Sequence, residues 1–341
     1  MKVKYLALIL LLTACSGSQK LVQFDESITA ESTVLAEALL SIPMDINKQG
    51  DILYTSTFNG DSLLHCYNLE SRCLVRRMLP QGQGANEFLT PIEYFMSGSS
   101  LFIHNRWHFT AKNYVFDTYD FSIRPQGELI RLPMNTDRIY PIGESRFVAS
   151  GVFEDCRFLL LDSGGDVLSK CGDFPNFQSE EEAIPNTAKA MFHQPQFGYN
   201  DARKRLACVT SNVLELWDYV PDTLILHERL LLSPYHYLFE STPDGVYAES
   251  DNLDVELGAR DIAVSQDYIY VLYNPNTHRM HEEHTETENS EIWVFDWEGK
   301  PIRKILTDVR IECFCVDETD TKFYCVMSAP DYFIGIVSSS S

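Results

Sequence analysis

The sequence predicts an all-β protein, a six-bladed β-propeller of four-stranded antiparallel blades whose ring is closed by an N-terminal strand. Three observations carry that prediction. Residues 260–306 hold four strand-like segments in succession, 262–264, 268–273, 292–297 and 302–306, all rich in β-branched and aromatic residues. The second and third segments are apolar on both faces, so each face needs another sheet against it, and stacked copies of one unit supply that. The unit recurs six times along the chain, and the last copy lacks a fourth strand that a short strand-like piece, Val22-Gln23-Phe24, is placed to complete.

Taken in order, unit one comprises 42–46, 52–57, 62–67 and 73–78, with Phe58-Asn59-Gly60-Asp61 as a turn. Unit two comprises 92–96, 101–104, 113–119 and 128–132. Unit three comprises 139–142, 146–150, 156–162 and 166–171, its last hairpin turning at Ser163-Gly164-Gly165. Residues 174–195 follow, with an acidic Glu180-Glu181-Glu182 and an Ala-containing piece at 187–192 that predicts one or two helical turns. Unit four shows three strands, 205–210, 213–219 and 224–231. Residues 233–258 interrupt the rhythm and read as an insertion, the kind of excursion that is a functional lid or disordered. Unit five is the 260–306 template, with Glu298-Gly299-Lys300-Pro301 as its tight turn. Unit six supplies 311–316, 322–327 and 332–337, and 338–341 is a frayed tail. Residues 21–337 are therefore expected to form one propeller domain.

Residues 1–15 read as a targeting segment and stand outside the fold. Lys2 and Lys4 form a positive start, residues 6–12 a short apolar run too brief to span a bilayer, and Leu12-Thr13-Ala14-Cys15 a cleavage site. That tetrapeptide resembles a bacterial lipobox, which implies lipidation of Cys15, export and anchoring to a membrane. Residues 16–20 are a tether. Ser16 follows the Cys where an Asp would suggest inner-membrane retention, so the outer membrane is expected. No acidic cluster marks surface export, which favours a periplasm-facing position over the cell exterior.

Acidic residues (49) outnumber basic ones (27) for a formal charge of -22, which repels phosphate backbones, so nucleic acid is not an expected partner. Eight cysteines remain after Cys15. Cys66 and Cys73, Cys156 and Cys171, and Cys313 and Cys325 each flank a turn symmetrically, so cross-strand disulfides and free buried thiols are both open. No Cys/His spacing suggests zinc.

Two local patterns carry a family resemblance. Trp293-Val294-Phe295-Asp296-Trp297-Glu298-Gly299-Lys300-Pro301 is similar to a strand-turn-strand signature, and Gly82-Gln83-Gly84-Ala85-Asn86-Glu87-Phe88 to a connection between first and second blades, with Ala85 where the pattern has Pro. Together they resemble the six-bladed TolB-like or NHL-like propellers found as lipoproteins in Bacteroidetes. The resemblance implies the fold over residues 20–337 and an outer-membrane protein as a plausible partner. It implies no chemistry.

Candidate sites come from the loops. Arg106-Trp107-His108-Phe109 places a cation and aromatics on the face where blades connect, so Arg106, Trp107 and His108 are candidate ligand contacts, with packing against blade three as the competing account. His278, His281 and His284 stand with Glu282, Glu283 and Glu286 in one loop of blade five, expected to overhang the channel mouth. They could hold Zn²⁺ or another divalent metal, although the spacing is not HExxH and a solvated polar loop is favoured. Glu249, Asp251, Asp254 and Glu256 lack the order of an EF-hand loop. The glycines at 82 and 84 precede no Lys-Ser/Thr and no helix, so they shape a turn and not a phosphate cradle. There is no GxSxG. The sequence therefore favours a non-catalytic binding propeller that presents its channel mouth to a protein, peptide or glycan, with no cofactor expected. The alternative is a periplasmic metal-assisted hydrolase or lyase, lactonase-like, on the same fold. Redox sensing through the hairpin cysteines is a third reading, undermined if they are buried.

Overall fold

Strands with two apolar faces can only be satisfied by sheets packed on both sides, and the ring is built that way. The structure is a computed structural model that describes residues 21–339 apart from 39, 85, 144, 178, 243, 244, 329 and 330. The targeting segment, Cys15, the tether and Ala85 lie outside the described residues. Five blades are formed by consecutive strands. Blade one is Pro43–Gln49, Ile52–Thr57, Ser62–Asn68 and Cys73–Pro80, and blade two is Ile92–Ser97, Ser100–Asn105, Thr110–Phe116 and Ile123–Arg131. Blade three is Thr136–Ile142, Arg146–Gly151, Phe158–Asp162 and Val167–Cys171, and blade four is Gln196–Asn200, Arg205–Thr210, Val213–Val220 and Thr223–Leu231. Blade five is Glu256–Val264, Tyr268–Thr277, Glu291–Asp296 and Pro301–Thr307. In each blade the first strand is innermost and neighbours are antiparallel.

Blade six takes Arg310–Val316, Lys322–Ser328 and Tyr332–Ser339 from the C-terminus and its outer strand from the N-terminus, which closes the ring. The closing strand is Ser27–Glu37, not Val22-Gln23-Phe24. It pairs antiparallel with Tyr332–Ser339 over Ala30 to Glu37 and runs parallel to the outer strand of blade five over Ser27 to Ala30. Val22 and Phe24 act as a clip instead. The Val22 N–H donates to the Leu231 carbonyl of blade four at 3.1 Å, and the Phe24 ring meets Trp293 and Phe295 of blade five edge-on at 5.2 and 5.4 Å. Their apolar character is used in a side-chain contact, where a sequence reading assigns it to a ladder.

Buried apolar side chains gather between blades. Ala207 and Leu216 of blade four meet Val271 and Phe295 of blade five, and comparable clusters fill the other junctions around the ring. The hairpin turns are local. Asp296 Oδ1 accepts from the N–H of Glu298 and of Lys300 at 2.9 and 2.8 Å, and Gly299 sits at φ 82°, where a side chain would be strained. Asp162 does the same for Gly164 and Asp166 in blade three.

Further departures from the sequence reading are specific. Blade four has the first strand Gln196–Asn200 that was not recognised, and the 233–258 insertion is an ordered hairpin, Tyr237–Thr242 with Gly245–Ser250. That hairpin packs on the helix Asn186–Phe192, predicted at 187–192, through Phe192 and Tyr237 stacked 4.1 Å apart. The outer strands of blade two begin earlier than expected. The expected tail joins the last strand as far as Ser339. Among the described residues the eight cysteines are thiols, and the register does not set the symmetric pairs opposite each other. Cys66 faces Arg76, Cys171 faces Phe158, and Cys325 faces Phe314.

Candidate functional site

Two cavities lie on the ring axis and at its mouth. The axial cavity, about 370 Å³, is walled by the innermost strands of all six blades. Each of those strands puts one residue at an equivalent register position: Asp45 opposite Ser56, Glu93 opposite His104, Arg138 opposite Ser150, Gln196 opposite Val209, Asp261 opposite Leu272 and Cys313 opposite Val326. In blades one, three, five and six the pairing slips by one residue just before it. Such bulges re-aim a side chain. The next residue is buried between blades in every case, as Ile46, Tyr94, Ile139, Phe197, Ile262 and Phe314. In five blades the residue at that position is polar and lines the cavity, whereas blade six has Cys313, which does not, so a polar residue followed by a buried apolar one marks the lining in units one to five. It escaped the sequence reading because the first strands of units three and five were started at 139 and 262, just past Arg138 and Asp261, and that of unit four was missed.

The lining is mixed in charge. Arg138 Nη1 donates to Glu93 Oε1 at 2.6 Å and to Gln196 Oε1 at 3.0 Å, and His104 Nδ1 lies 3.1 Å from Glu93 Oε2. Burial opposes the ionisation of Glu93, but Arg138 and His104 outweigh it and hold that carboxyl below its usual range. Asp45 and Asp261 have no such partner. Asp45 accepts from Asn47 Nδ2 at 2.9 Å, and Asp261 from the N–H of Ile262 and of Phe314 at 2.8 and 3.1 Å. Burial first, then the neighbouring Glu93 charge, raises Asp45 to about 6. Burial, then Asp45, raises Asp261 to about 7. Between the usual 3.8 and those values the folded form holds protons that the unfolded chain has lost. Stability contributed by these two carboxyls is therefore present at low pH and falls as pH rises through about 7. Asp261→Asn should flatten that fall. Urea midpoints measured at about pH 5 and about pH 8 will differ less in the variant than in the wild type, and equal differences would mean that the Asp261 carboxyl is not raised in the folded protein.

The mouth cavity, about 460 Å³, sits on the face where blades connect, between blades one to four. Phe58 and the Arg106 loop wall one side, Gly151 and Arg157 of blade three form part of the floor, and Ala190 to Pro195 after the helix close the other side. Of the three predicted contacts, Arg106 and Trp107 line this cavity and His108 does not. Trp107 is 71% exposed at the rim. Arg106 is tied to Asp137 of blade three, its Nε 3.1 Å from both the Asp137 carbonyl and Oδ1. Packing and presentation thus both occur in the one loop. His108 turns to a separate groove under the Gly82 to Phe88 connection, where its N–H donates to Asn105 Oδ1 at 3.1 Å. That connection folds back on itself as expected of a turn, with the Gly84 N–H on Glu87 Oε2 at 2.8 Å.

His278, His281 and His284 lie in and after a short helix, His278–Glu282, capped by Thr277. The loop leans on the insertion: the His278 N–H donates to Val255 O at 3.1 Å, and Arg279 pairs with Asp254 at 2.7 Å. None of its residues lines the axial or the mouth cavity. His281 Nδ1 is 2.9 Å from Glu286, which also faces Arg310 at 3.5 Å. Among the described residues no group of three His, Cys, Asp or Glu is arranged to hold a metal ion. No helix among them is long and apolar enough to cross a membrane.

The comparisons agree with the architecture. A family model described as "TolB-like 6-blade propeller-like" matches residues 23–319. A protein of Bacteroides fragilis NCTC 9343, inferred to be exported, superposes with a TM-score of 0.56 at 12% identity, over 95% of this chain and 94% of its own. A functionally unknown protein of Desulfotomaculum acetoxidans DSM 771 gives 0.44 at 12% identity, over 77% and 71%. No curated protein matches the sequence. With six blades, an N-terminal closing strand and a family match over most of its length, the chain belongs to the TolB-like six-bladed propellers.

Proposed function

We propose that this chain is an exported binding propeller, anchored to the outer membrane through lipidated Cys15 and facing the periplasm, that captures a peptide, protein segment or glycan at its channel mouth without catalysis. The observation that carries the reading is the mouth cavity itself. It combines aromatic walls with an exposed Trp107 at the rim, with Arg106 tied to Asp137 and Arg157 to a Glu215 that it shares with Arg229. Exposed aromatics on loops of a rigid ring suit recognition, since they offer contact area at small entropic cost. The similarity to a Bacteroides protein inferred to be exported supports an envelope location. A metal-assisted hydrolase would need ligands converging on the axis. In the channel Glu93 is engaged by Arg138 and His104.

The test is a peptide and glycan screen with the wild type and Trp107→Ala. Trp107 is exposed, so the variant should keep its thermal stability while losing about tenfold or more in affinity for a captured ligand. A ligand held equally by both proteins would move recognition away from the mouth.

A further inference from the structure

We propose that the mouth cavity takes an organic anion, a carboxylate joined to an apolar or aromatic body, with the carboxylate seated toward Arg157 and the body against the rings at the rim. The inference rests on the reading of this cavity as the recognition site and adds the class of ligand.

The argument starts from charge. Arg157 enters from the loop after the second strand of blade three and is 2% exposed, between the rings of Phe158 and Phe174 at 5.0 and 5.1 Å. Its Nη2 lies 2.5 Å from Glu215 Oε2. Glu215 is also held by Arg229 Nε at 2.7 Å, so two guanidiniums share one carboxylate and the buried group carries an excess positive charge. Among the described residues Nε and Nη1 of Arg157 have no hydrogen-bond partner. Most buried charges are paired and most buried donors are bonded, so this arrangement is incomplete by one acceptor.

Further unused donors line the cavity from blade three and from the segment after the helix. Thr136 Oγ1, Ser150 Oγ and His193 Nε2 belong to side chains 0%, 3% and 2% exposed, line the cavity and have no partner. Hydroxyls can donate to an anion, and so can a neutral imidazole in the Nε2–H tautomer. His193 is held neutral, because burial and the charges of Arg157, Arg229 and Lys189 push its pKa well below the usual value. The acidic residue in the described lining, Asp137, is held by Arg106 on Oδ1, and its Oδ2, 4.0 Å from Arg138 Nε, has no hydrogen-bond partner among the described residues. An anion therefore meets several donors and one acid whose charge two guanidiniums already offset. An ammonium would meet the excess charge of Arg157. Phe58, Trp107, Phe109 and Met191 leave an apolar remainder for the body of the ligand, and the volume falls within the range of about 300–1,000 Å³ usual for small-molecule sites. In a chain of net charge -22 this local reversal is not a by-product of composition.

The experiment titrates the full chain in non-ionic detergent with three probes of one skeleton, 4-phenylbutyrate, 4-phenylbutanol and 4-phenylbutylammonium, by calorimetry and Trp fluorescence. The carboxylate is expected to bind at least about tenfold more tightly than the alcohol, as a charge-assisted bond allows, and the ammonium not at all. Arg157→Gln should abolish the preference. Because that variant leaves Glu215 with one partner fewer, Ser150→Ala is the second arm, expected to weaken the carboxylate severalfold and leave the alcohol unchanged. Equal binding of acid and alcohol, or no binding of the acid, overturns the anion inference. If peptides or glycans still bind in a Trp107-dependent way, the recognition site stands without it. If no ligand depends on Trp107, both fall.

Discussion

Glu215→Ala is expected to destabilise the protein by about 3–5 kcal/mol, the usual penalty for stranding a buried charge. Glu215 is 0% exposed on the third strand of blade four and holds Arg157 of blade three at 2.5 Å and Arg229 of the outer strand at 2.7 Å. Removing its carboxylate leaves two guanidiniums facing each other with no counter-charge. Arg157 is held between Phe158 and Phe174 and is 2% exposed, so its charge stays in the buried site. Urea unfolding checks the prediction, with Lys170→Ala as the control. Lys170 and Asp155 are also 2.5 Å apart, but both are more than half exposed, so that loss should leave the urea midpoint nearly unchanged. Similar changes for the two variants would show that distance and not burial sets the worth of an ion pair here. Glu215→Gln keeps the shape and one acceptor and should fall between them.

Removing residues 1–38 is expected to abolish cooperative folding, whereas removing 1–20 leaves the described contacts of the ring in place. The strand Ser27–Glu37 is bonded on both sides, to the last strand of blade six and to the outer strand of blade five. Without it two strand edges lie open to pairing with other chains. Ala30 leaves the core between blades five and six, and Phe24 leaves Trp293 and Phe295. The loss should exceed about 5 kcal/mol, a large part of the roughly 5–15 kcal/mol that keeps a domain folded. Size-exclusion chromatography and thermal unfolding report it as aggregation and a missing transition. A truncated chain with an unchanged midpoint would mean that blade six is stable with three strands.

How much of this could be read in advance depends on how local each feature is. Tyr268–Thr277 and Glu291–Asp296 were legible because β-branched and aromatic residues on both faces demand flanking sheets whatever the neighbours are. Gln196–Asn200 was not, since Gly198 weakens its strand signal. That glycine is explained by a neighbour: a Cβ there would lie 2.4 Å from Val264 of blade five. Trp107 stood out as an aromatic in a short loop, and the structure places it at a rim. Arg157, Ser150, Thr136 and His193 gave no such signal, since each sits alone in its own stretch.

By itself the sequence determined the propeller, its six units and closure by an N-terminal strand, because strand propensity, two-sided apolar faces and turn residues act within one unit at a time. Only the tertiary structure decided which N-terminal residues close the ring. It also decided which charges meet. Asp45 and Asp261 are 216 positions apart in the chain (261 minus 45) and Arg157 and Glu215 are 58 apart (215 minus 157), yet each pair interacts at short range. Closing the ring brings them out of water together, and it is that shared burial, absent from any single stretch, that sets their charge states and shapes the site.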